Sequence, residues 1–334
     1  MKKDERGLNP KSETQNGKSK TALRVGGLLI FLLFAALTIA ILFGSEKLAL
    51  FELNEQQTTI LFDIRLPRVL LGASVGASLA LAGASLQSLL RNPLAEPYLL
   101  GVSNGAALGT MLAFVFFAQI EFARPLMAFA GASLATLVVY QMAKSRAGMN
   151  VERLVLAGVI VTTFLSSIIV LLTSLVDATK LRSFTFWLLG DLSQATKNGF
   201  YLSFAAVLIG TFVLMRTARA LNLMMIGERD ALDFGVEVEK TRLAVFATSS
   251  LLVGTAVAAS GSVGYVGLIV PHLIRLSTGS DNRFVIPFSA IAGAVFVVLA
   301  DTLARTLIAP RELPVGAITA LIGAPLFIYL LRRN

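Results

Sequence analysis

The 334-residue sequence has no cysteine and one histidine, and only 15% of its side chains are charged. Without cysteine there are no disulfides, thiolate metal sites or cysteine nucleophiles, and one histidine cannot build a multi-histidine metal centre. Redox and metal chemistry are therefore not the expected activity. The low charge excludes an ordinary soluble domain, which carries about 25%. What is abundant is apolar: 55% of residues are hydrophobic, and stretches such as 25–44 and 285–300 hold no ionised side chain. In water such stretches would be an aggregation hazard. A hydrocarbon core of about 30 Å takes about 20 helical residues per crossing.

The pattern predicts an all-α membrane protein of about ten transmembrane helices in one closely packed bundle. After the first span (25–44), the others fall at 69–90, 98–118, 125–143, 154–176, 199–215, 243–260, a shorter 266–276, 285–308 and 315–331. Residues 1–24 carry seven Lys/Arg and three acids without hydrophobic periodicity, and are expected to be a disordered cytoplasmic tail. Residues 25–334 then form the membrane domain. With the N-terminus inside, 20 of the 29 Lys and Arg fall on the cytoplasmic side, which predicts N-in and C-in by the positive-inside rule. The net charge of +9 then needs no nucleic acid, because anionic headgroups of the inner leaflet suffice.

Small residues recur every four positions at Gly72, Gly76, Ala80 and Ala84, at Gly101, Gly105 and Gly109, and at Gly316, Ala320 and Ala324. Such stripes let helix backbones approach. Between the sixth and seventh spans, residues 216–242 are too polar to cross a membrane and too patterned for a random loop. Apolar blocks at 221–226 and 231–234, separated by Gly227 and ended by Gly235, predict two short helices joined at a glycine. The acids Glu228, Asp230, Asp233, Glu237 and Glu239 would be repelled by an anionic leaflet, so a soluble partner fits this segment better than headgroups.

Other chemistry finds little support. Gly17, Lys18 and Ser19 imitate the end of a phosphate loop, but that loop needs a glycine where Ser12 stands. Any ATPase must therefore be a separate chain. An ion-coupled transporter would place ionisable groups near the bilayer midplane. Asp301 is the clearest intramembrane acid, and Arg305 one turn later accounts for it as an i, i+4 ion pair. An intramembrane serine hydrolase could be cast from Ser103 and His272, but nothing in their spacing is specific. On the outer side, Asp63, Arg65 and Arg68 flank the second span. Two arginines there run against the charge bias, with snorkelling as the plain alternative.

The segment RLPRVLLGASVGASLALAGASLQSLLRNPLAEPYLLGVSNGAALG (65–109) resembles the signature region of FecCD-type permeases. These are the membrane subunits of type II ABC importers for iron-siderophores, haem and cobalamin. GSVGYVGLIVPHLIRLSTGSDNRFVIPFSAIAGAVFVVLADTLAR and ELPVGAITALIGAPLFIYLLRR are similar to the family's C-terminal third, and LNLMMIGERDALDFGV to its coupling segment. The resemblance implies a permease, not an enzyme, in a bacterial cytoplasmic (inner) membrane. The permease would import an iron chelate, siderophore or haem, with a corrinoid importer as the near alternative and an ion-coupled secondary transporter as the distant one. It further implies pairing with a second copy, two ATPase subunits that use ATP and Mg, and a periplasmic or lipid-anchored binding protein, with no cofactor held by this chain. By the same resemblance Gly227, Glu228, Ala231 and Gly235 dock on the ATPase, and Asn92 and Leu94 lie at the cytoplasmic gate. Arg65, Arg68 and Arg305 match positions that receive acidic side chains of the binding protein. Val151 and Glu152 stand where some relatives place small hydroxyl residues in the gate.

Overall fold

The computed structural model describes residues 10–44, 54–120, 122–145 and 148–333. In chain order the helices are α1 (Pro10–Leu42), α2 (Glu55–Leu89), α3 (Val102–Phe116), α4 (Ala123–Ala143), α5 (Val151–Thr173), α6 (Ala178–Leu188), α7 (Lys197–Ile226), α8 (Glu228–Asp233), α9 (Val238–Ser260), α10 (Val266–Thr278), α11 (Asn282–Thr306) and α12 (Val315–Arg333). A two-residue hairpin, β1 (Lys144–Ser145) and β2 (Gly148–Met149), joins α4 to α5. Seven of the helices are long and apolar enough to cross a membrane, and α3, α10 and α12 are shorter apolar helices. Each of the ten predicted apolar segments lies on its own helix.

The differences have local causes. Helix α1 opens at Pro10, so residues 10–24, expected as tail, continue the first helix; residues 1–9 lie outside the described residues. Proline is pre-organised for the first helical position, and the Lys, Glu and Gln that follow are good helix formers. Helix α2 begins well before its apolar run. Asn54 accepts from the Gln57 amide at 2.8 Å, and the Gln57 side chain accepts from the Asn54 amide at 3.4 Å, a complete capping box. A π turn at Ile60–Arg65 lies just before Pro67, where a ring without an N–H must be accommodated. Helix α6 was not expected; Asp177 caps it by accepting from the Lys180 amide, and Phe184 is buried beneath it. Of the two short helices expected at 221–234, the first does not exist as a separate element, because 221–226 simply extends α7 to Ile226.

Helix α2 is the axis of the bundle, 89% buried over its apolar window. It packs chiefly on α11, with α7, α9 and α10 around it, while α3, α4 and α5 form a neighbouring layer and α1 lies outside on α11. Between α9 and α10 the chain runs without helix through residues 261–265. Gly261 there has a left-handed φ of +67°, and a Cβ would strike the Trp187 carbonyl. The broken backbone is satisfied from within: Tyr98 Oη donates to the Val263 carbonyl and accepts from the Val263 amide, both at 2.9 Å, and Glu96 accepts from the Tyr265 amide at 3.3 Å. Irregular backbone in a membrane bundle needs such partners.

Candidate functional site: coupling elbow, gate and outer charge cluster

At one end of the bundle the chain builds an elbow. Helix α7 is 30 residues long, about 45 Å at 1.5 Å per residue, and so overshoots a hydrocarbon core of about 30 Å. Gly227 breaks it with extended backbone, and the single turn and a half of α8 follows. Gly235, at φ +76° with nothing near a Cβ position, closes α8. The Val236 amide returns to the Ala231 carbonyl at 2.9 Å, as a left-handed cap requires. Ala231 is fully buried against the bundle, so it seats α8 and offers no contact surface. The exposed side chains are larger: Ile226 at 75%, Leu232 at 55% and Phe234 at 74%. Glu228 points back to Arg242, 2.6 Å from Nη2.

The elbow is tied to the end of α2 through a buried polar chain that sequence reasoning missed. Asn282, fully buried, accepts from Ser88 Oγ at 2.6 Å and donates to Asn222 Oδ1 at 2.9 Å from both its amide and Nδ2. Asn222 donates to Asp281 at 2.7 Å, and Arg275 reaches Ser88 Oγ at 3.1 Å. Hydrogen bonds from Arg283 hold the Asp281 carboxyl down at about 2, so Asp281 stays ionised at any working pH. Asn282→Leu strips partners from both Ser88 and Asn222. It is expected to lower stability by about 2 kcal/mol, read as a fall in thermal midpoint of the purified protein in detergent, whereas Ser277→Ala at an exposed site is expected to change little.

Ser88 leads directly into the expected gate. Asn92 Oδ1 accepts from the Leu94 amide at 2.9 Å, an Asx turn, and the preceding Arg91 takes a left-handed φ of +50°. Gln87 Nε2 donates to the carbonyls of Gly267 and Leu268 at 3.2 and 3.1 Å, which fixes this loop to α10. A cavity of about 360 Å³ separates Asn92 from Val151 and Glu152. A second, of about 520 Å³, shares Leu90, Val151 and Glu152 and extends to Met149, Glu228 and Arg242. The structure thus brings Asn92, Val151 and Glu152 to one opening; Leu94 is 45% exposed and lines neither cavity.

At the opposite end, Arg65, Arg68 and Arg305 come together, but buried at 4%, 7% and 3% exposure. Arg68 binds Asp301 through Nε (3.1 and 3.2 Å) and Nη2 (2.9 Å), and Glu312 through Nη1 (2.7 Å). Arg305 Nε lies 3.0 Å from Asp301, the expected i, i+4 pair. Arg65 donates to the carbonyls of Ile41 and Leu42 and Arg305 to that of Ala40. These are last-turn carbonyls of α1, which lack helical partners. Asp63, by contrast, is exposed and paired with Lys197 at 2.6 Å. Ser103 donates to Ser262 at 3.3 Å, and among the described residues no hydrogen bond joins it to His272, so the hydrolase pairing has no geometry.

The FecCD transport family model matches residues 21–333. The chain is 38% identical over 329 residues to the hemin transport system permease protein HmuU of Yersinia pestis, covering 96% of this chain and 98% of that one. To the cobalamin import system permease protein BtuC of Halobacterium salinarum it is 42% identical over 282 residues, covering 84% and 76%. Among solved structures it is similar to an inward-facing ABC transporter assigned to the metal-chelate type, with TM-score 0.84 and 34% identity, over 93% of this chain and 99% of that one.

Proposed function

We propose, from the premise that this chain belongs to the FecCD transport family, that it is the permease of an ATP-driven importer carrying an iron chelate, haem or a siderophore, across the cytoplasmic membrane. The chain is a multi-span membrane transport subunit and not an enzyme. The observation that carries the proposal is the elbow. An overlong α7 and a seated α8 hold Ile226, Leu232 and Phe234 outside the bundle, where three large apolar side chains fit a groove on a soluble ATPase. With this end cytoplasmic, the N-in, C-in orientation of the charge bias follows. A homodimer completes the path, and the chain itself holds no cofactor; ATP and Mg belong to the ATPase.

Gly227, Glu228, Ala231 and Gly235 act here by shaping and seating α8, with the contact made by its exposed neighbours. Asn92, with Val151 and Glu152 across the cavity, forms the inner gate, and Leu94 stands at its mouth. On the outer face, Arg65, Arg68 and Arg305 support binding-protein docking. Their charges already serve α1, Asp301 and Glu312, so an incoming carboxylate would meet Arg68 by exchange with Glu312, the most exposed member at 35% of its side chain. The similarity to a cobalamin permease makes a corrinoid the second reading.

Purified alone, the chain is expected to hydrolyse no ATP, and reconstituted with its co-encoded ATPase it is expected to do so, faster with a loaded binding protein. Hydrolysis by the isolated chain, free of contaminating ATPase, would overturn the importer reading. Labelled hemin, a ferric hydroxamate and cobalamin offered in parallel to the full assembly decide the cargo.

A further inference from the structure

Arg242 stands in the first turns of α9 with only 12% of its side chain exposed and joins three elements. Nη2 binds Glu228 of α8 at 2.6 Å. Nη1 binds Glu239 at 2.7 Å and also donates to the Met149 carbonyl on β2 at 3.2 Å. Glu239 completes the ring by accepting from the Met149 amide at 2.8 Å, so both backbone groups of Met149 are held from α9. The next residue, Asn150, caps α5 by accepting from the Arg153 amide at 2.9 Å. Val151 and Glu152, the first residues of α5, line both inner cavities.

We infer that Arg242 is a positioning residue that couples α8 to the gate-bearing start of α5, so that movement of the elbow is passed through its guanidinium to Met149 and the α5 N-terminus. This rests on the permease reading above. The chemistry suits the task. A guanidinium is planar, always charged and offers a rigid fork of donors, so two partners held on separate nitrogens keep a fixed spacing. A lysine ammonium is a single point charge and cannot span Glu228 and the Met149 carbonyl with the same geometry. Charge-assisted bonds are the strong ones, and two of those made by Arg242 end on carboxylates. The sequence hides this assembly because Met149 lies 93 positions from Arg242, and Glu228, Met149 and Arg242 sit on separate elements of six, two and 23 residues.

A chain without cysteine makes the test clean. Spin labels at Leu94→Cys and Glu152→Cys, both exposed, report the width of the gate in the full assembly with its ATPase and binding protein. In the otherwise unchanged chain, ATP trapping is expected to shift the label-to-label distance. In Arg242→Met the ATPase still docks and hydrolyses, but the shift is lost and substrate moved per ATP falls about tenfold or more, as removal of charge-assisted bonds implies. Glu228→Gln weakens only the arm to α8, removing its charge while leaving an acceptor oxygen, at an exposed position. It is expected to uncouple in the same direction and decides the matter if Arg242→Met does not fold. Arg242→Lys is expected to recover only part of the coupling. An intact label shift with unchanged transport per ATP in Arg242→Met and Glu228→Gln would overturn the inference, and so would a proportional fall of hydrolysis and uptake with the shift preserved. Failure of the permease reading looks different: the unsubstituted assembly would then show no ATP-dependent uptake at all.

Discussion

Arg68→Met is expected to be among the most damaging single substitutions in the chain, lowering stability by about 3–5 kcal/mol, the cost of removing one partner from a buried ion pair. Arg68 is the hub of the outer cluster. It makes three contacts to Asp301, which is 2% exposed, and one to Glu312. Without it Asp301 keeps Arg305 among the described residues, and Glu312 loses its 2.7 Å bond to α2. Asp301→Asn is expected to cost as much, because Arg68 and Arg305 would crowd together with their shared counter-charge gone. Glu312→Gln, at a partly exposed position, is expected to cost about 1 kcal/mol or less. Thermal unfolding of the purified protein in nanodiscs separates these. Equal, small losses for all three would show that the cluster is solvated and contributes little.

Gly83→Val is expected to prevent assembly of the bundle or to lower its thermal midpoint by more than any surface substitution. The Cβ of residue 83 would run into the backbone carbonyl of Gly267 on α10, which cannot rotate away as a side chain does. Overpacking against side chains costs about 1–3 kcal/mol, and rigid backbone raises that figure. Gly76 and Gly293 make the same kind of approach between α2 and α11, each facing the other's carbonyl. The control is Gly27→Ala on the outer face of α1, where nothing lies within 4 Å of a Cβ. There alanine's helix propensity is expected to add up to about 1 kcal/mol. Monodispersity after size-exclusion chromatography and the unfolding midpoint are the measurements.

These two sites show how far the sequence can be read. Uninterrupted apolar runs are one-dimensional signals, and each of them lies on its own helix. The stripe at Gly72, Gly76, Ala80 and Ala84 correctly marked α2 as a close-packing helix, yet Gly83, outside the stripe, makes the tightest approach. Gly83 meets Gly267, 184 positions away, and Gly76 meets Gly293, 217 positions away, and spacing within α2 carries no trace of either partner. The 216–242 segment was legible as a position and not as a surface. Ala231 stood out as part of a pattern but is buried, and Ile226 at the end of α7, with Leu232 and Phe234 beyond Gly227, is what the elbow presents. Arg65 and Arg68 were legible as anomalous outer charges and Arg305 as the i, i+4 partner of Asp301, but the bonds of Arg65 to α1 and of Arg68 to Asp301 and Glu312 become visible only in three dimensions. Asn222, Asn282 and Arg242 left no signal, since a lone polar residue near a helix end is usually solvated.

ATP-dependent accumulation in proteoliposomes tests the central claim most directly. The chain is reconstituted with its co-encoded ATPase, with loaded binding protein outside, ATP inside, and ionophores that collapse proton and sodium gradients. Uptake of hemin or a ferric siderophore that requires the ATPase and ATP, and that survives the ionophores, is the predicted result. Uptake by the chain alone, driven by an ion gradient and abolished by the ionophores, would contradict it.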